Sequence, residues 1–196
     1  MIRLCLLRHC TTAWNLQHRI QGRTDVPLTP EAEQQLNKIQ LPAAAAKWQW
    51  YASPLLRAKQ TAALISNIEP SIAELLVEMN WGSFEGLKLE EIEKRIEETG
   101  LSPPNGPDFC PPNGESPRMV GERLEAWCKQ LVMTDSDTVV AVTHKGVIHA
   151  ALYLVTEWDM LTRFSPKIDW RLPVCFTVDP DGRLQLDRVN VPLDEI

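Results

Sequence analysis

The chain has 196 residues, 44% of them hydrophobic and 23% charged, with a formal net charge of -6. That fits one ordinary globular domain over residues 1–196 with a substantial core. An acidic pI of about 5.3 with no basic run argues against a nucleic-acid binder, and no stretch reaches the roughly 20 apolar residues of a membrane span. The start, Met1-Ile2-Arg3-Leu4-Cys5, has no charged leader ahead of an apolar core and does not read as a secretory signal. The cysteines (Cys5, Cys10, Cys110, Cys128, Cys175) are odd in number and scattered, without a C-x-x-C pair. They read as reduced thiols of a cytoplasmic protein.

Ile2–Leu7 reads as a short buried strand that runs straight into Arg8-His9. The loop from His9 to Leu28 is rich in donors: Asn15, Arg19, Gln21, Gly22 and Arg23. Thr29-Pro30-Glu31 is a helix start, with a capping hydroxyl, a proline at the first position and an acid for the positive helix end. Ala32, Leu36 and Ile39 share its core face, and Pro42 ends or kinks it. Trp48–Ala52 is a second strand. Ser53-Pro54 repeats the cap-then-proline start and opens a helix from Pro54 to about Asn67. Arg57 falls in its first turn, where it opposes the helix dipole unless an anion compensates. Ser71–Leu76 is a third short strand. Val77 to Gly86, with Glu78, two glycines and two aromatics, is a shaped loop.

Leu89, Ile92 and Ile96 mark an exposed helix with Glu90–Lys94 and Glu91–Arg95 pairs and a Gly100 C-cap. The proline-rich residues 101–116 read as a surface loop placed to act as a lid. Ser116-Pro117 starts a helix with Val120, Leu124, Trp127 and Leu131 inward. Thr138–Val142 is a strand buried on both faces, ending in Thr143-His144-Lys145-Gly146. Val147 to about Val155 is a helix, and Trp158 to Arg171 carries no clear pattern. Leu172–Val178 and Leu184–Val189, joined by Asp179-Pro180-Asp181-Gly182, form a hairpin. The whole predicts an α/β fold: a three-layer α/β/α sandwich with a mostly parallel central sheet and a C-terminal β-hairpin.

Ligands of such sheets bind outside the carboxyl ends of the strands. Two strands end in a histidine and a third is followed by Arg57, so Arg8, His9, Arg57 and His144 converge along one edge. Arginine's planar fork suits phosphate oxygens. Asn15 and Gln21 add neutral donors, and Gly22 lets a backbone N–H approach closely. Glu78 is the carboxylic acid available to protonate a leaving oxygen. Trp14, Trp81 and Phe84 flank the site in sequence, either as a pocket wall or, more commonly for such residues, as core. His18 and His149 read as non-catalytic.

These residues carry a family resemblance. Leu7-Arg8-His9-Cys10-Thr11-Thr12 through Asn15 resembles the L-R-H-G-x-T-x-x-N signature of the histidine phosphatase superfamily, the phosphoglycerate-mutase-like proteins. Gln21-Gly22 with Asp25, Pro27, Leu28 and Thr29, then Ser53-Pro54-Leu55-Leu56-Arg57-Ala58 with Thr61-Ala62, resemble its next two blocks. Glu78 with Gly82 and Glu85-Gly86, then Gly114-Glu115-Ser116 and Val142-Thr143-His144, are similar to the rest, in the right order over about 140 residues.

The resemblance implies a phosphohistidine mechanism. His9 is then the nucleophile, with its other ring nitrogen donating to a backbone carbonyl. Arg8, Asn15, Gln21, Gly22, Arg57 and His144 hold the phosphoryl group, and Glu78 is the acid. Neither metal nor cofactor is required, because arginines and histidines supply the positive charge. The expected partner is a small phosphorylated substrate, with the oligomeric state open, a homodimer included. Cys10 and Lys145 stand where the family has glycine. A φ above zero at position 10 would cost about 1–2 kcal/mol. A phosphomonoester hydrolase is the expected activity. A cofactor-dependent phosphoglycerate mutase is the competing enzyme, and a weakly catalytic phospholigand- or protein-binding module the competing non-enzyme.

Overall fold

The computed structural model describes residues 1–100 and 105–196. Its elements are β1 (Ile2–Arg8), α1 (Ala13–Leu16), α2 (Pro30–Leu36), β2 (Gln49–Ala52), α3 (Leu56–Ser66), β3 (Ser71–Ile72), α4 (Leu89–Thr99), α5 (Pro117–Leu131), β4 (Thr138–Thr143), α6 (Lys145–Val155), β5 (Val174–Val178) and β6 (Leu184–Arg188). The strands form one sheet in the order β3-β2-β4-β1-β5-β6. The first four are parallel, and β5 and β6 add as an antiparallel hairpin. This is the expected α/β architecture.

Alternation along β1 distributes its side chains to two cores. Leu4 and Leu6 meet Val120, Leu124, Ile148 and Leu152 of α5 and α6. Cys5 and Leu7 meet Leu36, Ala58, Ala62 and Ile65 of α2 and α3. The sheet is therefore apolar on both faces, which explains the unalternating runs of β1 and β4. Arg8 pairs with Thr143, and Ala52 with Val142. The carboxyl ends of β1, β4 and β2 thus stop at nearly one level.

Several local expectations change. Helix α3 starts at Leu56 with Leu55 as N-cap, so Ser53 is not its cap; its hydroxyl meets His144 instead. Helix α2 closes at Leu36, short of Ile39, and Pro42 begins a 3-10 turn over Ala43–Lys47. Of residues 71–76 only Ser71 and Ile72 pair as strand, and Glu74–Leu76 is a 3-10 turn. On α4 the Glu91 carboxylate caps the Lys88 N–H and Arg95 reaches the Ser83 carbonyl, so the i, i+4 ion pair present is Lys94–Glu98.

The reduced-thiol expectation fails for two of the five cysteines. Cys5 and Cys175 face each other across β1 and β5, with Cα atoms 4.1 Å apart, and are joined as a disulfide. The pairing depends on how the hairpin registers against β1, which spacing in the sequence does not reveal. With it goes the cysteine-based reason for a reducing compartment. Of the proline-rich stretch, residues 101–104 lie outside the described residues. Residues 105–116 lean on the loop that carries Glu78, with Ser83 N–H donating to Pro112 and Glu115 N–H to Asn80. Among the described residues no helix is long and apolar enough to cross a membrane.

Leu124 of α5 is fully enclosed. Leu124→Ala is expected to cost about 2–5 kcal/mol, read as a lower urea midpoint at unchanged slope. Met133→Ala, at a residue 86% exposed, should move stability by less than about 0.5 kcal/mol.

Candidate functional site

The level strand ends bring two imidazoles together. His9 follows β1, its N–H donating to the Thr143 carbonyl. His144 follows β4 as the N-cap of α6. Their ring centroids lie 5.2 Å apart. His9 Nδ1 is 2.7 Å from the Cys10 carbonyl. A carbonyl can only accept, so Nδ1 carries the proton and Nε2 keeps its lone pair. His144 Nε2 sits 2.7 Å from Ser53 Oγ. That serine hydroxyl already accepts the Leu55 N–H. Donation from Oγ to Nε2 leaves His144 Nδ1 as a donor aimed at no protein partner.

Arg57 is fully buried. Its Nη1 donates to the Thr24 carbonyl at 2.9 Å and its Nη2 to the Gly22 carbonyl at 2.7 Å. Arg8 Nε, Arg57 Nε and His144 Nδ1 are buried polar atoms without a partner among the described residues. Three unpaired donors around one imidazole form a socket for an anion with several oxygens.

Glu78 enters from the loop after β3. Thr143 Oγ1 donates to the Leu76 carbonyl at 2.8 Å and ties that loop to β4. The Glu78 carboxyl accepts the Met79 N–H at 2.8 Å and the Gly146 N–H at 3.3 Å. A Cβ on Gly146 would stand 2.4 Å from Glu78 Oε1, so glycine there is what lets the acid dock on α6.

Burial sets the protonation states. It pushes His9 well below its ordinary 6.5, and the Arg57 and Arg8 charges push the same way. His144 is lowered by burial and then by Arg57. Glu78 is raised above its ordinary 4.5 because burial outweighs its N–H donors and Arg57. Burial therefore favours the neutral form of both imidazoles and of the Glu78 carboxyl.

Each predicted site residue can now be placed. Arg8, His9, Arg57, Glu78 and His144 converge. Asn15 spends its side-chain oxygen on Thr12, as the closing half of a capping box on α1, and Gln21 Oε1 lies 3.0 Å from Thr12 Oγ1. Their amide nitrogens make no protein hydrogen bond among the described residues. Gly22 contributes its carbonyl to Arg57. Cys10 and Lys145 have no positive φ, so neither replacement strains the backbone. Phe84 is core, stacked on Phe109, and Trp81 packs against the same ring. His149 sits between Trp158 and Trp170 and is pushed down to about 3 by burial.

Two contributors escaped the sequence. Glu85 accepts the N–H groups of Arg23 and Thr24 at 2.7 and 3.0 Å and the Thr24 hydroxyl at 2.6 Å. The first contact fixes the peptide whose carbonyl is that of Gly22, and the other two anchor Thr24, whose carbonyl also accepts from Arg57. Gly22, at φ +52°, has a Glu85 oxygen 2.0 Å from where a Cβ would lie. The pairing of an acid with a glycine 63 positions away has no local signal. Trp170 is the other, with Arg8 Cζ 5.8 Å and Lys145 Nζ 5.4 Å from its ring centre. It stands in the stretch without periodicity. A separate hollow of about 600 Å³ between Ile39–Pro42, Trp48, Trp50 and Ile65–Ile68 is lined by no titratable side chain.

Comparison with known proteins adds a second line of observation. Residues 4–190 match the family model described as histidine phosphatase superfamily, branch 1. An uncharacterized phosphatase, PhoE, of Bacillus subtilis is 33% identical over 164 residues, covering 81% of this chain and 80% of its own. A 2,3-bisphosphoglycerate-dependent phosphoglycerate mutase of Gloeobacter violaceus is 27% identical over 197 residues, 93% of this chain and 88% of its own. The crystal structure of a phosphoserine phosphatase from Entamoeba histolytica, in complex with 3-phosphoglyceric acid, superposes with a TM-score of 0.74 at 27% identity. It covers 98% of each chain.

The socket predicts oxyanion binding. Inorganic phosphate at about a hundred times its dissociation constant should add about 2.7 kcal/mol of stability, read as a raised melting temperature. Arg57→Met should abolish the increment. Glu85→Ala, which touches no ligand, should weaken it by releasing the two carbonyls. An unchanged increment in both variants would place the anion elsewhere.

Proposed function

From a chain that belongs to the histidine phosphatase superfamily and is a phosphoric monoester hydrolase, we propose a metal-independent reaction through phospho-His9 on a small phosphorylated metabolite. The observation that carries it is the tautomer of His9. Its Nδ1–H is committed to the Cys10 carbonyl, and burial keeps the ring neutral, so Nε2 is free to attack.

Arg8, Arg57 and His144 Nδ1–H hold the phosphoryl oxygens, with the amide nitrogens of Asn15 and Gln21 as further donors. The His9 Nε2 lone pair forms a bond to phosphorus as the bond to the leaving oxygen breaks. Glu78, whose neutral form burial favours, gives its proton to that oxygen and is left as carboxylate. Water then attacks phosphorus, Glu78 takes its proton, the N–P bond breaks and phosphate leaves. The positive charge that stabilises the transition state is supplied by guanidinium groups already in place, so no metal is assigned a role.

A mutase is the second reading, favoured by the Gloeobacter relative. Release of inorganic phosphate carrying one oxygen from labelled water supports hydrolysis. Return of the phosphoryl group to an acceptor without such release supports the mutase.

His9→Ala should abolish turnover and the acid-labile phosphoenzyme, and EDTA should leave the wild type unaffected. Glu78→Gln should lose about 10²–10⁴ in rate on an alkyl phosphate and much less on 4-nitrophenyl phosphate, whose leaving group needs little protonation. With the alkyl ester, kcat/KM should fall on the acid side as His9 protonates, well below 6.5. It should fall on the alkaline side as Glu78 ionises, above 4.5. Only the second limb should vanish in Glu78→Gln assayed with the aryl ester. Equal losses on both esters would remove Glu78 from the acid role.

A further inference from the structure

Between the 3-10 turns at Glu74–Leu76 and Gly82–Phe84, the loop that carries Glu78 has no regular structure. Its backbone groups must therefore find partners elsewhere. Thr143 holds the Leu76 carbonyl. The Leu75 carbonyl accepts from Arg123 Nη1, and the Glu78 carbonyl faces Arg23 Nε at 3.4 Å. Asn80 exchanges two bonds with Glu115: its N–H donates to Oε2 at 2.9 Å, and its carbonyl accepts the Glu115 N–H at 2.8 Å. A Cβ on Gly114 would stand 2.5 Å from that carbonyl, so glycine there permits the approach.

Most of these contacts lead to one carboxylate. Glu115 Oε1 accepts from Arg23 Nη2 at 2.9 Å and from Arg123 Nε at 3.3 Å, and Oε2 accepts from Arg123 Nη2 at 3.4 Å. The Arg123 and Glu115 side chains are only 13% and 14% exposed. Arg123 sits on α5 among the buried Val120, Leu124 and Trp127. An enclosed ion pair costs desolvation that a well-packed apolar side chain would not, so stability alone is a poor reason for it. Its geometry supplies a better one. Arg123 grips the loop before Glu78, at the Leu75 carbonyl, and through Glu115 it grips the loop after Glu78, at the Asn80 N–H.

We propose that Arg123, held by Glu115, is a positioning residue for proton transfer: by fixing the loop on both sides of Glu78 it sets that carboxyl within reach of the leaving oxygen, without touching substrate itself. The inference rests on the acid role proposed for Glu78. The partners of Arg123 and Glu115 are the acid's loop and Arg23. The phosphoryl donors are anchored elsewhere, Arg57 on the Gly22 and Thr24 carbonyls and His144 on Ser53. Loss of the clamp therefore acts on the transfer of the proton and spares the grip on the phosphoryl group. A general acid works only within hydrogen-bond reach of the atom it protonates, and a displacement of about 1 Å costs about a hundredfold.

The test compares two esters of similar shape. Benzyl phosphate releases an alkoxide, which needs a proton, and 4-nitrophenyl phosphate releases a phenoxide that leaves without one. The readout is the ratio of kcat/KM, benzyl over 4-nitrophenyl, which reports the steps up to phosphorylation of His9 and not the later attack of water. Arg123→Met should lower this ratio about ten- to a hundredfold. Arg123→Lys should fall between that variant and wild type, since an ammonium keeps the charge but not the fork. In the Glu78→Gln background, where residue 78 has no proton to give, Arg123→Met should lower the ratio no further.

An unchanged ratio in Arg123→Met overturns the proposal, and so do equal losses on the two esters, which mark a general loss of structure. A further fall in the Glu78→Gln background overturns it as well. Should Arg123→Met not fold, Glu115→Gln carries the same expectations: it keeps an acceptor for the Asn80 N–H and gives up the charge that holds Arg123. If Glu78→Gln by itself lowers both esters equally, the acid reading falls first and takes this inference with it. If Glu78→Gln is selective and Arg123→Met is not, only this inference falls.

Discussion

Arg57 is a cation shut away from water without an ion-pair partner among the described residues, and the site is built around that fact. Burying a guanidinium is costly unless its donors are met. Two of them are met by the Gly22 and Thr24 carbonyls, which are dipoles rather than counter-charges. The carbonyls stay in place because Glu85 holds the peptide N–H groups of Arg23 and Thr24. Gly22 is the residue that lets Glu85 come so close. Residues 22–24, 57 and 85 are thus one device, and its product is a fixed positive charge with its Nε directed at no protein acceptor.

The same exclusion of water decides which groups carry protons. Desolvation always penalises the charged form, so it acts on His9 and Glu78 in opposite directions. The arginines reinforce it at His9 and oppose it at Glu78, where burial still prevails. One dry pocket therefore favours the neutral imidazole and the neutral carboxyl together. The hydrogen bond from His9 to the Cys10 carbonyl adds what burial cannot: a choice between the two ring nitrogens.

What the sequence disclosed was the part carried by strands. Apolar runs that end in Arg8-His9 and in Thr143-His144 locate two strand ends, and a parallel sheet sets such ends side by side. Arg57 followed from its place after β2, and Glu78 from its shaped loop. What stayed hidden was lateral. Ser53 read as a helix cap because Ser-Pro starts are common, but the hydroxyl is more useful against His144, which only the level of the β2 and β4 ends brings near. Asn15 read as a ligand donor, and its oxygen closes a capping box on α1. Glu85 and Trp170 act across 60 residues of sequence or from a segment without periodicity. Cys5 and Cys175 meet only through the register of an antiparallel strand.

The replaced glycines divide the site into parts that can vary and parts that cannot. Cys10 and Lys145 occupy positions with ordinary backbone angles, so a side chain there adds chemistry at no conformational cost. Gly22 and Gly146 are different, since a Cβ at either would collide with a carboxylate oxygen, Glu85 in one case and Glu78 in the other. The fixed glycines guard the cation and the acid. The variable position beside His144 sets its ammonium 5.4 Å from the centre of the Trp170 ring.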